Sequence, residues 1–137
     1  MSEGRKGARA LAPLRVALLV IGLFFIFGIY AQGQMRPSGW RWGHGHSHYP
    51  LMLLGIYVTL GVFLIVAARN PLAHRSLIWF TAVSSLVHGG VMAVEAVVDT
   101  TERAHFTGDV PTFLVIGVVL GWLMVRAELP RPAKTPT

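Results

Sequence analysis

Four apolar segments separated by polar stretches constrain this chain more than any other feature of its sequence. They cover residues 14–31, 51–68, 77–98 and 110–125. A helix needs roughly 17–25 apolar residues to cross the hydrocarbon core of a bilayer. Since lipid offers no hydrogen-bond partners to the backbone, such a span must be helical. The segments therefore predict an all-α polytopic membrane protein with four transmembrane helices in an up-down-up-down bundle.

The composition agrees with a membrane environment and excludes several kinds of chemistry. Hydrophobic residues make up 53% of the chain and charged residues only 13%, against about a quarter in a soluble domain. There is no cysteine, which excludes disulfides, thiolate nucleophiles and iron–sulfur ligation. The basic residues are scattered over the chain ends and short loops. This distribution favours a role in membrane orientation and argues against a nucleic-acid partner.

The lysine and arginine positions predict how the four spans are oriented. Of the 12 basic residues, three lie in the segments after the first and third spans: Arg36, Arg41 and Arg103. The other nine fall on the opposite side of a four-span arrangement, and the positive-inside rule puts that side in the cytoplasm. Both termini are then cytoplasmic.

The two chain ends are expected to lie outside the membrane. Residues 1–13 form a basic N-terminus, residues 14–126 the transmembrane domain, and residues 127–137 a proline-rich tail expected to be disordered. The first segment could instead be a cleaved signal peptide. Its apolar run is long for a signal, so an uncleaved span is the favoured interpretation.

The third span carries most of the polar side chains within the apolar segments. At 100° per residue, one stripe contains Thr81, Ser84, His88, Met92, Glu95, Asp99 and Glu102. A second stripe of small residues suits close helix contact (Ser85, Gly89, Ala93 and Ala96), and a third of valines suits lipid (Val83, Val87, Val94 and Val97). Ser84 and His88 are thus intramembrane polar residues. His88 is expected to face protein, either in a structural hydrogen bond to Tyr57, Thr59 or Ser84 or as part of a functional path.

Three of the six histidines lie within five residues of the segment after the first span. His44, His46 and His48 alternate with Gly45 and Ser47, so an extended chain would present all three imidazoles on one side. Such tracts are typical of metal binding, and imidazole suits zinc or copper. The topology brings Glu95, Asp99 and His105 to the same outer end. We therefore expect these six residues to supply an outward His/acid metal site, with a solvated loop as the alternative.

Glycines predict where helices approach each other closely. Gly117 and Gly121 form a GxxxG pair on the fourth span, a pattern common at contacts between membrane helices. Further close-approach positions are expected at glycines of the first two spans: Gly22, Gly28, Gly55 and Gly61.

The stretches "ARNPLAHRSLIWF" and "SSLVHGGVMAV" resemble a family of small four-span bacterial membrane proteins without assigned activity. The likeness runs from the second span through most of the fourth. In size and layout the chain is also similar to DoxX-like proteins, some of which serve quinone-linked oxidoreductases. The resemblance implies a bacterial inner membrane protein with several spans, and it implies no activity.

Three functions are compatible with the sequence. The first is a non-enzymatic or accessory membrane subunit, in a homo-oligomer or a larger membrane complex, with a divalent metal at its outer end. The second is an oligomeric transporter or channel with a polar path along the third helix. The third is an oxidoreductase subunit that uses quinone or metal. No catalytic residue is identified, and whether the chain is an enzyme stays open.

Overall fold

The computed structural model describes residues 3–35 and 49–129, and all of its secondary structure in these ranges is helical. The longer helices are α1 (Glu3–Leu23), α2 (Ile29–Met35), α3 (Tyr49–Ala67), α4 (Arg75–Val98) and α5 (Asp109–Glu128). A π-helical turn, Phe24–Gly28, joins α1 to α2 in one continuous rod, and 3₁₀ segments precede α4 (Pro71–His74) and α5 (Thr100–Thr107). The predicted all-α class is thus confirmed for the described residues, and the tail after residue 129 lies outside them.

Within the described residues, three continuous helical stretches are long and apolar enough to cross a membrane. These stretches are Ala10–Gln32, Pro71–Val98 and Asp109–Glu128, while the apolar part of α3 is shorter, Leu51–Ala67. The sequence therefore predicted membrane-type helices correctly. The crossing of all four helices and their orientation stay predictions.

The helices pack mainly as two pairs, with further contacts between the pairs. Helices α4 and α5 pack along most of their length, α1 and the π-helical turn pack against α3, and α1 also contacts α5, whereas α3 and α4 barely touch. The core between them consists of large apolar side chains without solvent exposure, among them Leu18, Phe25, Leu64, Ile78 and Leu120.

Close approach between helices depends on three glycines. A Cβ on Gly61 would lie 2.6 Å from the carbonyl oxygen of Gly22, and a Cβ on Gly22 would lie 2.8 Å from that of Gly61. A Cβ on Gly117 would lie 2.8 Å from the carbonyl oxygen of Ala82. Because any other residue would collide with backbone there, glycine sets the spacing of α1 against α3 and of α5 against α4.

The other predicted close-approach glycines do not lie against the backbone of a second helix. The nearest atoms to an added Cβ belong to the Phe24 side chain at Gly28 and to the Trp79 side chain, 3.8 Å away, at Gly121. Nothing lies within 4 Å of the corresponding position at Gly55. The GxxxG pair therefore contributes one backbone contact, at Gly117, rather than two.

Helix α4 has the three faces that its sequence predicts. Ser85, Gly89 and Ala96 are buried against neighbouring helices. The four valines of the opposite face are 53–68% exposed: Val83, Val87, Val94 and Val97. An exposed valine stripe on a helix of this length is suited to lipid.

Candidate functional site

Asp109 is the centre of a polar network at the start of α5. It occupies the first turn of the helix, where the unpaired backbone N–H groups and the helix dipole favour a negative charge. Its Oδ1 accepts a hydrogen bond of 2.8 Å from Nε2 of Gln32. Its Oδ2 lies 2.7 Å from Nδ1 of His105. One carboxylate thus links the end of α2, the 3₁₀ segment and α5, and we call these three residues the Gln32–Asp109–His105 network.

His105 is held inside the protein by this contact. Its side chain is only 5% exposed, whereas that of Asp109 is 27% exposed. When the Asp109 carboxylate is ionised it can only accept hydrogen bonds, and Nδ1 of His105 is then the donor. In the neutral imidazole the remaining ring nitrogen, Nε2, then has the lone pair. The network therefore sets both the tautomer and the orientation of His105.

A cluster of rings lies next to the network, deeper between the helices. Phe113, one turn after Asp109 on α5, has its ring centroid 4.3 Å from that of His88 on α4. Tyr57 of α3 lies 5.5 Å from Phe113 and 5.9 Å from His88, in an edge-on arrangement with the latter. Phe25 closes the cluster, 5.2 Å from Tyr57. His88 accordingly faces protein, as the face analysis of α4 predicts.

Asp109 connects the two groups of residues electrostatically. It is close enough to interact with both the Tyr57 hydroxyl and the His88 imidazole. Glu95 and His105 also lie within electrostatic range of His88. Among the described residues, Asp109 is thus the charged group that both Tyr57 and His88 share.

The polar stripe of α4 does not continue beyond His88 as a path through the described structure. The hydroxyl of Thr81 donates to the carbonyl oxygen of Leu77, and that of Ser84 donates to the carbonyl oxygen of Thr81. Both hydroxyls are thus satisfied within their own helix. The core around them is apolar, with Ile78, Leu64 and Met124 fully buried.

The predicted metal ligands do not assemble from the described residues alone. In the ranges that the structure describes, no group of three or more His, Asp or Glu side chains could hold a metal ion. Glu95 and Asp99 are exposed at the end of α4, whereas His105 is buried. The Nδ1 atom of His105 is in contact with Asp109. His44, His46 and His48 lie outside the described residues.

Two members of the network were not among the site residues predicted from the sequence. Gln32 directly follows the first predicted span, residues 14–31, and Asp109 directly precedes the fourth, residues 110–125. The spacing of His105 and Asp109, four residues apart, is a signal that sequence reasoning could have used. Gln32 carries no such signal, because its partner is 77 residues away.

Comparison with known proteins adds one match. The model of a family described as a family of unknown function (DUF6632) matches residues 8–136, which includes every helix beyond the first turns of α1. No curated protein and no solved structure matches the chain.

Proposed function

We propose that this chain, which belongs to the family of unknown function DUF6632, is an integral membrane protein that binds a divalent metal ion at its outer end. In this proposal four helices cross a bacterial inner membrane and both termini are cytoplasmic. The chain serves as a non-enzymatic or accessory subunit, alone, as a homo-oligomer or in a larger membrane complex.

The dimensions of the helices support four crossings. Helix α3 has 19 residues, which at 1.5 Å per residue correspond to about 28 Å, close to the roughly 30 Å of a hydrocarbon core. Its exposed apolar side chains, such as Met52, Ile56 and Phe63, require lipid or another protein around them. The 9-to-3 distribution of basic residues supports the orientation.

The contact between His105 and Asp109 is the observation that carries the metal-binding proposal. Metal-ligating histidines typically donate one ring N–H to a carboxylate, which orients the ring and raises the basicity of the other nitrogen. The 2.7 Å contact from Nδ1 of His105 to Asp109 has this form. We infer that His105 is one ligand and that the remaining ligands come from His44, His46 and His48, with Glu95 and Asp99 as carboxylates of the same outer end.

Calorimetric titration of the purified protein with zinc and copper ions tests this proposal. The parent protein should bind one of these ions at micromolar concentration. Replacement of all three loop histidines by alanine should remove most of the affinity and leave the helices folded, since no described helix loses a side chain. His74→Ala is the matched control, because His74 lies before α4 on the predicted cytoplasmic side.

The pH dependence gives a second readout. Protons compete with the metal for imidazole nitrogens, so the affinity should fall as the pH is lowered through about 6.5, the ordinary pKa of a histidine side chain. No binding by the parent, or unchanged binding by the triple variant, would contradict the proposal.

Quinone binding is a second candidate, favoured by the ring cluster around His88. A flat ring with two carbonyl oxygens needs apolar walls and hydrogen-bond donors. Phe113 and Phe25 are apolar rings packed directly beside the polar atoms of Tyr57 and His88, so a quinone would bind against the edge of this cluster rather than between its rings. The test is titration of the protein with a soluble ubiquinone analogue, monitored by tyrosine and tryptophan fluorescence. If this candidate is correct, Tyr57→Phe should bind the analogue more weakly than the parent protein.

A transport path has weaker support. The hydroxyls of Thr81 and Ser84 are bonded within α4, and the neighbouring core is apolar. A path along α4 would therefore require several copies arranged around it.

A further inference from the structure

A long apolar groove runs between α1 and α5 on the outside of the bundle. It has a volume of about 910 Å³, within the roughly 300–1,000 Å³ of ligand-binding clefts. Small or ring-closed side chains leave this space open on α1, where Ala12, Pro13 and Ala17 line it. On α5 the lining includes Pro111, Val115 and Val119. We call this feature the α1–α5 groove.

Basic residues continue the groove face of α1 beyond its apolar end. The helix is continuous from Glu3, and residues seven apart lie on nearly the same face of an α-helix. Arg5 and Lys6 precede Ala12 and Pro13 by seven positions, and Arg9 precedes Pro13 by four. The three basic positions therefore fall in register with the groove.

The other wall of the groove also ends in a basic residue. Arg126 follows Val119 by seven positions on α5 and so continues the same face. Its guanidinium lies 4.0 Å from the centroid of the Trp122 ring, and this tryptophan is 53% exposed. Tryptophan and arginine of this kind are typical of the headgroup region of a bilayer. Glu128, two positions further and on another face of α5, pairs with Arg75 at 3.8 Å.

We propose that the α1–α5 groove binds one anionic phospholipid, with an acyl chain in the groove and the phosphate at its basic end. Apolar walls fit the chain, and the positive face positions of both helices complement the headgroup charge. A second copy of the protein fits less well. Copies that share one membrane orientation would bring their own basic ends together at this level, which is unfavourable. The proposal rests on the membrane embedding proposed above and does not depend on the metal site.

Native mass spectrometry of the full-length protein in detergent tests this binding. The protein is mixed with phosphatidylglycerol or with phosphatidylcholine that has the same acyl chains, and bound lipid is counted for each. About one kcal/mol per basic residue near a membrane surface corresponds to about fivefold in affinity. With one basic position on each helix at the headgroup level, Arg9 and Arg126, phosphatidylglycerol should bind about 25-fold more tightly.

Matched variants distinguish the contribution of the basic residues to lipid binding from that of the apolar groove. Arg9→Gln with Arg126→Gln should remove most of the preference for phosphatidylglycerol, whereas Arg9→Lys with Arg126→Lys should keep it. Arg69→Gln, at the same end of the bundle but in the turn after α3, should have no effect. Val115→Trp fills the groove and should weaken both lipids, whereas Val87→Trp on the lipid face of α4 should not.

Equal binding of the two lipids by the parent protein would overturn the proposal. So would a dimer that excludes lipid and is disrupted by Val115→Trp, since the groove would then be an interface between copies. Either result would leave the protein in the membrane and its zinc or copper binding unchanged. Failure of this inference is therefore distinguishable from failure of the proposed function.

Discussion

Nδ1 of His105 lies 2.7 Å from Oδ2 of Asp109, and this contact connects the segment between α4 and α5 to the first turn of α5. The same carboxylate accepts a hydrogen bond from Gln32, at the far end of the rod formed by α1 and α2. A single side chain thus holds three parts of the chain together at one end of the bundle.

Replacement of Asp109 by asparagine should destabilise the protein. An amide offers one acceptor oxygen and an N–H where the carboxylate offers two acceptors, so a His105 that donates from Nδ1 loses its acceptor and can regain a partner only by moving its proton to Nε2. A donor left unsatisfied in a buried position costs about 1–3 kcal/mol. Thermal unfolding of the purified protein in detergent measures the effect, and Glu95→Gln, at an exposed carboxylate, is the control. Equal stability of the two variants would show that the Gln32–Asp109–His105 network does not contribute to the stability of the fold.

Gly61→Ala should destabilise the packing of α1 against α3, and Gly55→Ala should not. The new methyl group at Gly61 would lie 2.6 Å from the carbonyl oxygen of Gly22, whereas at Gly55 nothing lies within 4 Å. Overpacking of this kind costs about 1–3 kcal/mol, while alanine in an open helix position gains up to about 1 kcal/mol. Unfolding curves of the two variants, recorded under the same conditions, compare their free energies of unfolding. A stable Gly61→Ala variant would mean that the two helices are further apart.

His88→Phe should preserve the ring cluster, and His88→Ala should weaken it. The imidazole packs on Phe113 at 4.3 Å between ring centroids, a contact that another ring can take over. Its loss to alanine removes an aromatic pair and leaves a cavity, with an expected cost of about 1–3 kcal/mol. If unfolding measurements find the phenylalanine variant as unstable as the alanine variant, the polar atoms of His88 are needed for folding.

A reporter of membrane topology should read cytoplasmic at the C-terminus and external between residues 39 and 49. The distribution of nine basic residues against three motivates this expectation. Fusions of alkaline phosphatase and green fluorescent protein at the two positions give opposite readouts and control for each other. An external C-terminus would contradict the four-span arrangement, because an even number of spans places both termini on the same side.

Much of the fold could be predicted from the sequence because it depends on local periodicity. The apolar segments identified the helices, and the faces of α4 were correct because the angle between successive residues of a helix is constant. The π-helical turn at Phe24–Gly28 and the 3₁₀ segment at Thr100–Thr107 were not foreseen. Their hydrogen-bond patterns differ from that of an α-helix by one residue, and no residue type marks that difference.

The sequence by itself determined the helical class of the protein, its helical segments and the exposed apolar face of α4, since composition and a 3.6-residue period suffice for these. Only the tertiary structure decided that Gln32 meets Asp109 and that His88 packs on Phe113. It also decided that Gly61 is closely packed whereas Gly55 is open. The reason is that these relations join residues from different helices. Their contact depends on how each helix is rotated and shifted against its neighbours, which many side chains decide together.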